Sequence, residues 1–203
     1  MSRRAAGLVL GVALLLLAAG LAWLWLGGRG RRPGGSVAPA AGSAGPQATF
    51  GADLYFPADM GLRAERRNLV ATDSPKERIR KIVQALLAGP SPAGAPAGSA
   101  ANGTNAARGL VRPLPPGVEI GAVELTLEGT AYLDLRWADH DEPPPGGSDA
   151  EMQAVYSLVD SVALNVPEAQ RVVLLWNGTQ RVTFSGHLDT SRPLLPDRSL
   201  VAH

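Results

Sequence analysis

The start of this chain constrains it more than any other part. Residues 5–28 run for 24 consecutive positions without a charge, and nine of them are leucine. At 1.5 Å of rise per residue such a helix reaches about 36 Å, enough to cross a hydrocarbon core of about 30 Å with some tilt. Trp23 and Trp25 fall near its end, where indole rings settle at an interface. A cleaved signal peptide is the competing reading, and Arg3 and Arg4 suit its basic start. Its apolar stretch, however, would be about 7–15 residues with a small-x-small site close behind. Here the tidy triplet, Ala38-Pro39-Ala40, lies beyond Arg29, Arg31 and Arg32, and a lipid-bearing cysteine is excluded because the chain has no cysteine. A retained single-span anchor is therefore expected. Basic residues flank it almost evenly, so the positive-inside rule decides little. A short tail before a large domain favours a cytoplasmic N-terminus and an exported C-terminal domain.

The anchor and its flanks hold five of the 19 basic residues, which leaves 14 basic against 18 acidic residues and a net charge of −4 for the remainder. A net-acidic domain without a basic stripe is a poor nucleic-acid binder. The absence of cysteine excludes disulfides, zinc–thiolate centres and thiol catalysis. Only two lysines, Lys76 and Lys81, stand among abundant arginine, alanine, glycine and proline, a bias that suggests a GC-rich bacterial genome.

Four regions follow from composition and periodicity: a tail and anchor over 1–28, a linker over 29–48, a domain over 49–193 and a tail over 194–203. The linker is almost wholly Gly, Pro, Ala, Ser and Arg, which cannot bury enough apolar surface to order itself, and as a coil it would reach about 25 Å. The stretch 91–109 has the same character and reads as a surface insertion.

Asp53-Leu54-Tyr55-Phe56-Pro57 reads as a short strand, and 62–72 as a weaker one. Ser74-Pro75-Lys76-Glu77 is a capping box with proline at the first helical position, and Ile79, Ile82, Val83, Leu86 and Leu87 follow at helical spacing up to Gly89-Pro90. Val118, Ile120, Val123, Leu125 and Leu127 then face Ala131, Leu133 and Leu135 across a turn at Glu128-Gly129. A three-residue loop over 128–130 puts both apolar sets on one face. Ser148-Asp149-Ala150-Glu151 reads as a second capping box before the stripe Met152, Val155, Val159, Val162 and Val166, with Leu158 beside it. Residues 171–176 suit a central strand, Asn177-Gly178 a tight hairpin, and Val182 and Phe184 the returning strand. The order strand, strand, helix, strand, strand, helix, strand, strand asks for an α/β (α+β) fold of two layers: one mixed β-sheet with both helices on one face. The other face is expected to be more polar and open to a partner.

The run of motifs resembles the GerMN domain family of sporulation and germination proteins. The resemblance rests on Leu54-Tyr55-Phe56-Pro57, Ala85-Leu86-Leu87-Ala88-Gly89-Pro90, Leu114-Pro115-Pro116-Gly117-Val118 and Gly147-Ser148. It continues through Ala154-Val155-Tyr156-Ser157-Leu158-Val159, Val172-Val173-Leu174-Leu175-Trp176-Asn177-Gly178 and Gly186-His187-Leu188-Asp189. The resemblance implies an exported, often membrane-anchored domain that binds or assembles and does not catalyse. It also implies a likeness to the ring-building modules of secretion channels. One copy of the domain, where some members have two, and an anchor without a lipid-bearing cysteine set this chain apart.

Candidate chemistry weighs little. Asp139-His140-Asp141-Glu142 offers metal-ligand types, but adjacent positions rarely converge on one ion and a solvated loop is expected. His187 and Asp189 could form an acid–base pair, with a structural hydrogen bond the preferred reading. Ser157 and Asp160 lie one helical turn apart without a histidine placed to activate the serine. The glycine-rich stretches lack the lysine and hydroxyl of a phosphate loop. Trp137 and Trp176 could form a sugar-stacking platform, with packing as the default. Asn102 and Asn177 begin glycosylation-like triplets, the second better explained as a turn. No catalytic, cofactor-binding or metal-binding residue is assigned, and no cofactor is expected. The expected partners are the membrane, spanned once, and an envelope protein or peptidoglycan element. The alternatives are a cell-wall enzyme using His187 and scattered acidic residues, or a homo-oligomer joined through sheet edges.

Overall fold

The computed structural model describes residues 47–91 and 109–202. The expected anchor, the linker up to residue 46, Trp23, Trp25 and Asn102 lie outside the described residues, as does all of the 91–109 insertion except its ends. No helix among the described residues is long and apolar enough to cross a membrane.

The elements follow the expected order but form two sheets, not one. β1 (Thr49–Ala58) and β2 (Gly61–Val70) make an antiparallel hairpin by themselves. β3 (Val118–Leu125), β4 (Thr130–Trp137), β5 (Arg171–Trp176) and β6 (Thr179–Gln180) form a four-stranded mixed sheet in that spatial order, with β4 and β5 parallel. α1 (Pro75–Leu87) packs on β3 and β1, while α2 (Ser148–Ala163) packs on β1, β5 and α1. The single-sheet expectation fails because the free edge of β1 is capped by a helix. Asn165 and Ser161, at the C-terminal end of α2, take the places a neighbouring strand would fill. Asn165 Oδ1 accepts from the Asp53 N–H at 2.8 Å, Asn165 Nδ2 donates to the Asp53 carbonyl at 2.7 Å, and Ser161 Oγ accepts from the Tyr55 N–H at 2.9 Å. With its edge groups satisfied, β1 has no need of a strand.

The apolar stripes pack as their periodicity requires. Ile79, Ile82, Val83, Leu86 and Leu87 of α1 and Val155, Leu158, Val159 and Val162 of α2 are buried in one core with Leu54 and Phe56, Leu133 and Leu135, and Val172 and Leu174. In β3 the inward residues change parity, from Val118 and Ile120 to Val123 and Leu125. A register shift between Ile120 and Val123 absorbs the extra residue and keeps both pairs turned to the core. Gly121 sits in this bulge, where a Cβ would come within 2.7 Å of Arg136 Nε. The three-residue loop is present but lies one position earlier than expected. Thr126 closes on Thr130 at 3.0 Å, so Leu125 faces Ala131 while Leu127 stands fully exposed at the apex.

The returning strand is shorter than expected. Asn177 and Gly178 both adopt positive φ (50° and 78°), as the tight turn demands, but β6 ends at Gln180 and leaves Val182 exposed. Leu194 instead covers the first half of the β5 edge by exchanging two 2.8 Å bonds with Val172. The segment expected to be a C-terminal tail, 194–203, continues along the hairpin: Val201 bridges Leu62, and the Ala202 N–H donates to the Leu62 carbonyl at 2.7 Å.

The C-terminus of α1 has no basic residue in its own last turn, and its carbonyls are met by tertiary arginines. Arg67 of β2 donates to the Ala85 and Gly89 carbonyls at 2.9 and 2.6 Å, and Arg112 to those of Leu87 and Ala88 at 2.7 and 2.8 Å. Arg67 is also paired at 2.7 Å with Glu65, both groups being almost fully buried, and Glu65 in turn accepts from the Ser91 N–H and hydroxyl. Replacing Arg67 by Ala strands a buried carboxylate and is expected to cost about 3–5 kcal/mol. Replacing Arg66, whose pair with Asp53 is exposed, should cost under about 1 kcal/mol. Urea titration of the two variants followed by circular dichroism checks the contrast.

Candidate functional site

The described residues that the sequence offered for chemistry each have a definite place. Glu151 is the centre of the first cluster. The second capping box does not form: the N-cap of α2 is Gly147, Ser148 is the first helical residue, and no side chain caps the helix. The Glu151 carboxylate, 2% exposed, turns instead to the loop that leaves β6. Its Oε1 accepts from the N–H groups of Ser185 (2.7 Å) and Leu188 (3.1 Å). Its Oε2 accepts from the His187 N–H at 2.9 Å and meets His187 Nδ1 at 2.9 Å. Burial pushes this carboxyl upward, but the bonds from Ser185, Leu188 and His187 outweigh it and hold the group below the ordinary carboxylate range. His187 thus makes a structural bond. Asp189 does not join it, because its carboxylate accepts from the Ser191 N–H and hydroxyl at 2.9 and 2.6 Å.

Ser157 and Asp160 are sealed, at 0% exposure each. Asp160 Oδ1 accepts from the Asp197 N–H at 2.9 Å, while Oδ2 and Ser157 Oγ have no hydrogen-bond partner among the described residues. Desolvation raises the Asp160 pKa from 3.8 to about 6, with the Asp197 charge adding to it and the Asp197 N–H and Arg198 opposing. Asp134, 2% exposed, accepts from the Gly178 N–H at 2.7 Å and from Arg136 at 2.8 Å, which locks the Asn177-Gly178 turn onto β4.

The acidic loop 139–142 is dispersed. His140 stacks on Trp137 with ring centroids 3.7 Å apart, Glu142 pairs with Arg181, and Asn177 Nδ2 donates to the His140 carbonyl at 3.2 Å. Among the described residues no group of three or more His, Asp or Glu side chains could hold a metal ion. The two tryptophans do not share a platform. Trp176 is 2% exposed and meets Phe184 edge-on at 5.9 Å, whereas Trp137 is half-buried under His140.

The site that sequence reasoning missed is a groove of about 440 Å³ between the C-terminal half of α1 and the start of β3, lined by Gln84, Leu87, Ala88 and residues 117–120. Among the described residues β3 has a neighbour strand on one side only, β4. The backbone direction follows from the ladder. The Asn177 N–H donates to the Leu135 carbonyl, so Leu135 points its peptide groups toward β5. Its β3 partner, Ile120, therefore turns its own N–H and C=O away from β4, on the side of the groove. Val118 has the same orientation and spends its N–H on the Pro115 carbonyl at 3.3 Å, while its carbonyl has no partner among the described residues. Just beyond, Arg80 Nη1 donates to the Gly121 carbonyl at 2.8 Å and closes the groove's far end. The signal available in the sequence was a strand with a covered face and no second partner segment.

The family model described as Germane: sporulation and spore germination matches residues 53–182. The chain belongs to this family. No curated protein matches it. Among solved structures, the first GerMN domain of the sporulation protein GerM from Bacillus subtilis is similar, with 16% identity, a TM-score of 0.49, and coverage of 74% of this chain and 99% of that one. The tandem GerMN domains of the same protein are similar at 16% identity and a TM-score of 0.48, over 73% of this chain and 46% of that one. A candidate lipoprotein from Clostridium perfringens is similar at 16% identity and a TM-score of 0.47, over 73% of this chain and 88% of that one.

The raised Asp160 pKa carries a pH consequence. Between pH 3.8 and about 6 the folded state holds a proton that the unfolded state has released, so this group's contribution falls as pH rises through that window. Asp160→Asn removes the titration. Its stability relative to the parent is therefore expected to improve from pH 4 to pH 7, by about 3 kcal/mol at most. Urea midpoints of both proteins at the two pH values provide the check.

Proposed function

We propose that this Germane-family chain is a membrane-anchored, exported domain of the bacterial cell envelope that binds or assembles with a partner and does not catalyse. The observation that carries this reading is the contrast between spent side chains and a bare strand edge. Glu151, His187, Asp189, Asp134 and Asp160 each accept or share hydrogen bonds from the fold's own backbone or side chains. The Ile120 peptide group beside the α1 groove is left unmatched among the described residues. Free backbone groups on an edge strand suit recognition of another chain. The uncharged run over residues 5–28 supports the anchor, and the linker over 29–48 supports a domain held off the bilayer surface. Family membership is consistent with a role in sporulation or germination.

Topology tests the tether. With a tag at the C-terminus, external protease on spheroplasts is expected to remove the tag, and carbonate washing is expected to leave the untreated chain in the membrane. A full-length chain recovered in the soluble cytoplasmic fraction would end the proposal. A second measurement separates binding from chemistry. His187→Ala should weaken the 185–188 loop and lower thermal stability while the envelope phenotype of a deletion strain is still restored. Loss of complementation with stability unchanged would favour the cell-wall enzyme.

A further inference from the structure

The β3 edge over residues 118–120 lies open beside a groove, whereas the other strand edges are covered at least in part. Ser161 and Asn165 cover the edge of β1, the Ala202 N–H takes the Leu62 carbonyl of β2, and Leu194 with β6 covers β5. Edge strands are commonly blunted by lysine, proline or a bulge. On β3 the bulge begins only after Ile120, and residues 118–120 contain neither lysine nor proline.

We infer that an extended, basic and apolar peptide segment of a partner protein pairs with residues 118–120 and enters the four-stranded sheet as an added edge strand between β3 and α1. This inference rests on the reading of the domain as a binder and names how it binds. Three features define the occupant. The Val118 carbonyl and the Ile120 N–H and carbonyl face away from β4 with two-residue spacing, which is the pattern an extended backbone matches and a helix cannot. Leu87, Val118 and Ile120 supply apolar walls for alternate side chains. Glu119, exposed between them, has no ion-pair partner among the described residues, so a lysine or arginine in the incoming segment complements it. The same charge argues against a second copy of this chain, because pairing β3 with itself would set Glu119 and Glu124 against their like. Arg80 on the Gly121 carbonyl limits the pairing to the first half of the strand.

The test uses the full chain in its own membrane, with a photo-crosslinking amino acid in place of Gln84 in the groove or of Arg136 on the polar face of β4. Ultraviolet illumination is expected to give an adduct from the Gln84 position that maps to one extended segment of an envelope protein. That segment, synthesised as a peptide and added to the solubilised full chain, should slow amide exchange at Ile120 at least tenfold. Glu119, whose N–H already faces β4, should be unaffected. Ile120→Pro removes the outward N–H and is expected to abolish the adduct, since proline is tolerated where an edge N–H faces outward. Glu119→Arg, on an exposed side chain, should weaken it at least fivefold without touching the fold. Adducts confined to the Arg136 position would overturn strand addition and leave the binding reading standing. No adduct from either position would overturn both. An adduct with a second copy of this chain, or an added peptide that leaves Ile120 exchange unchanged, would also overturn the inference.

Discussion

The fold depends on one helix satisfying backbone groups in three segments that have no other reason to meet. Along α2, Glu151 gathers three N–H groups of the loop after β6, Asp160 holds the N–H of Asp197, and Ser161 with Asn165 completes the edge of β1. Buried peptide groups must find partners, and a lost one costs about 1–3 kcal/mol. A helix whose polar residues meet these demands therefore fixes the positions of the hairpin, the β6 loop and the C-terminal segment together. The valine stripe of the same helix supplies the apolar contact with β5 and β1. Specific placement comes from the polar residues and cohesion from the apolar ones.

The buried charges express a second constraint. Glu65 with Arg67, Asp134 with Arg136 and Glu151 with its loop are all matched by donors, and Arg67 also caps the C-terminus of α1. Asp160 is the exception, with one oxygen bonded and one bare, and desolvation dominates its titration. The surface proposed for binding lies elsewhere, at Ile120 beside α1, where the outward peptide group has no partner among the described residues.

How much was legible from residues varied with range. The N-cap at Ser74, the stripe of α1, the tight turn at Asn177-Gly178 and the parity of the β3–β4 hairpin were readable because each rests on neighbours within a few residues, although the Ser74 N–H goes to Thr72 and not to Glu77 as a full capping box would have it. The loop placement slipped by one position, because nothing local distinguishes Leu127 as an apex from Leu127 as a paired residue until the bulge at Gly121 sets the register. Glu151 was misread as a capping residue. Its spacing from Ser148 fits that role, and only the approach of residues 185–188 offers it better donors. The β3 groove left no motif, since its recognition groups are backbone atoms that every residue carries.

The amino-acid sequence by itself determined the order and kind of the elements, the family, the acidic character of the domain and the length of the uncharged run at its start. These depend on periodicity, composition and short-range turn chemistry, which act along the chain. Tertiary structure alone decided that the strands divide into two sheets, that the segment after Gly186 is tied down, and that one edge of β3 has no partner among the described residues. Those outcomes turn on which distant partner reaches a backbone N–H or C=O, and spacing along a sequence carries no record of that competition.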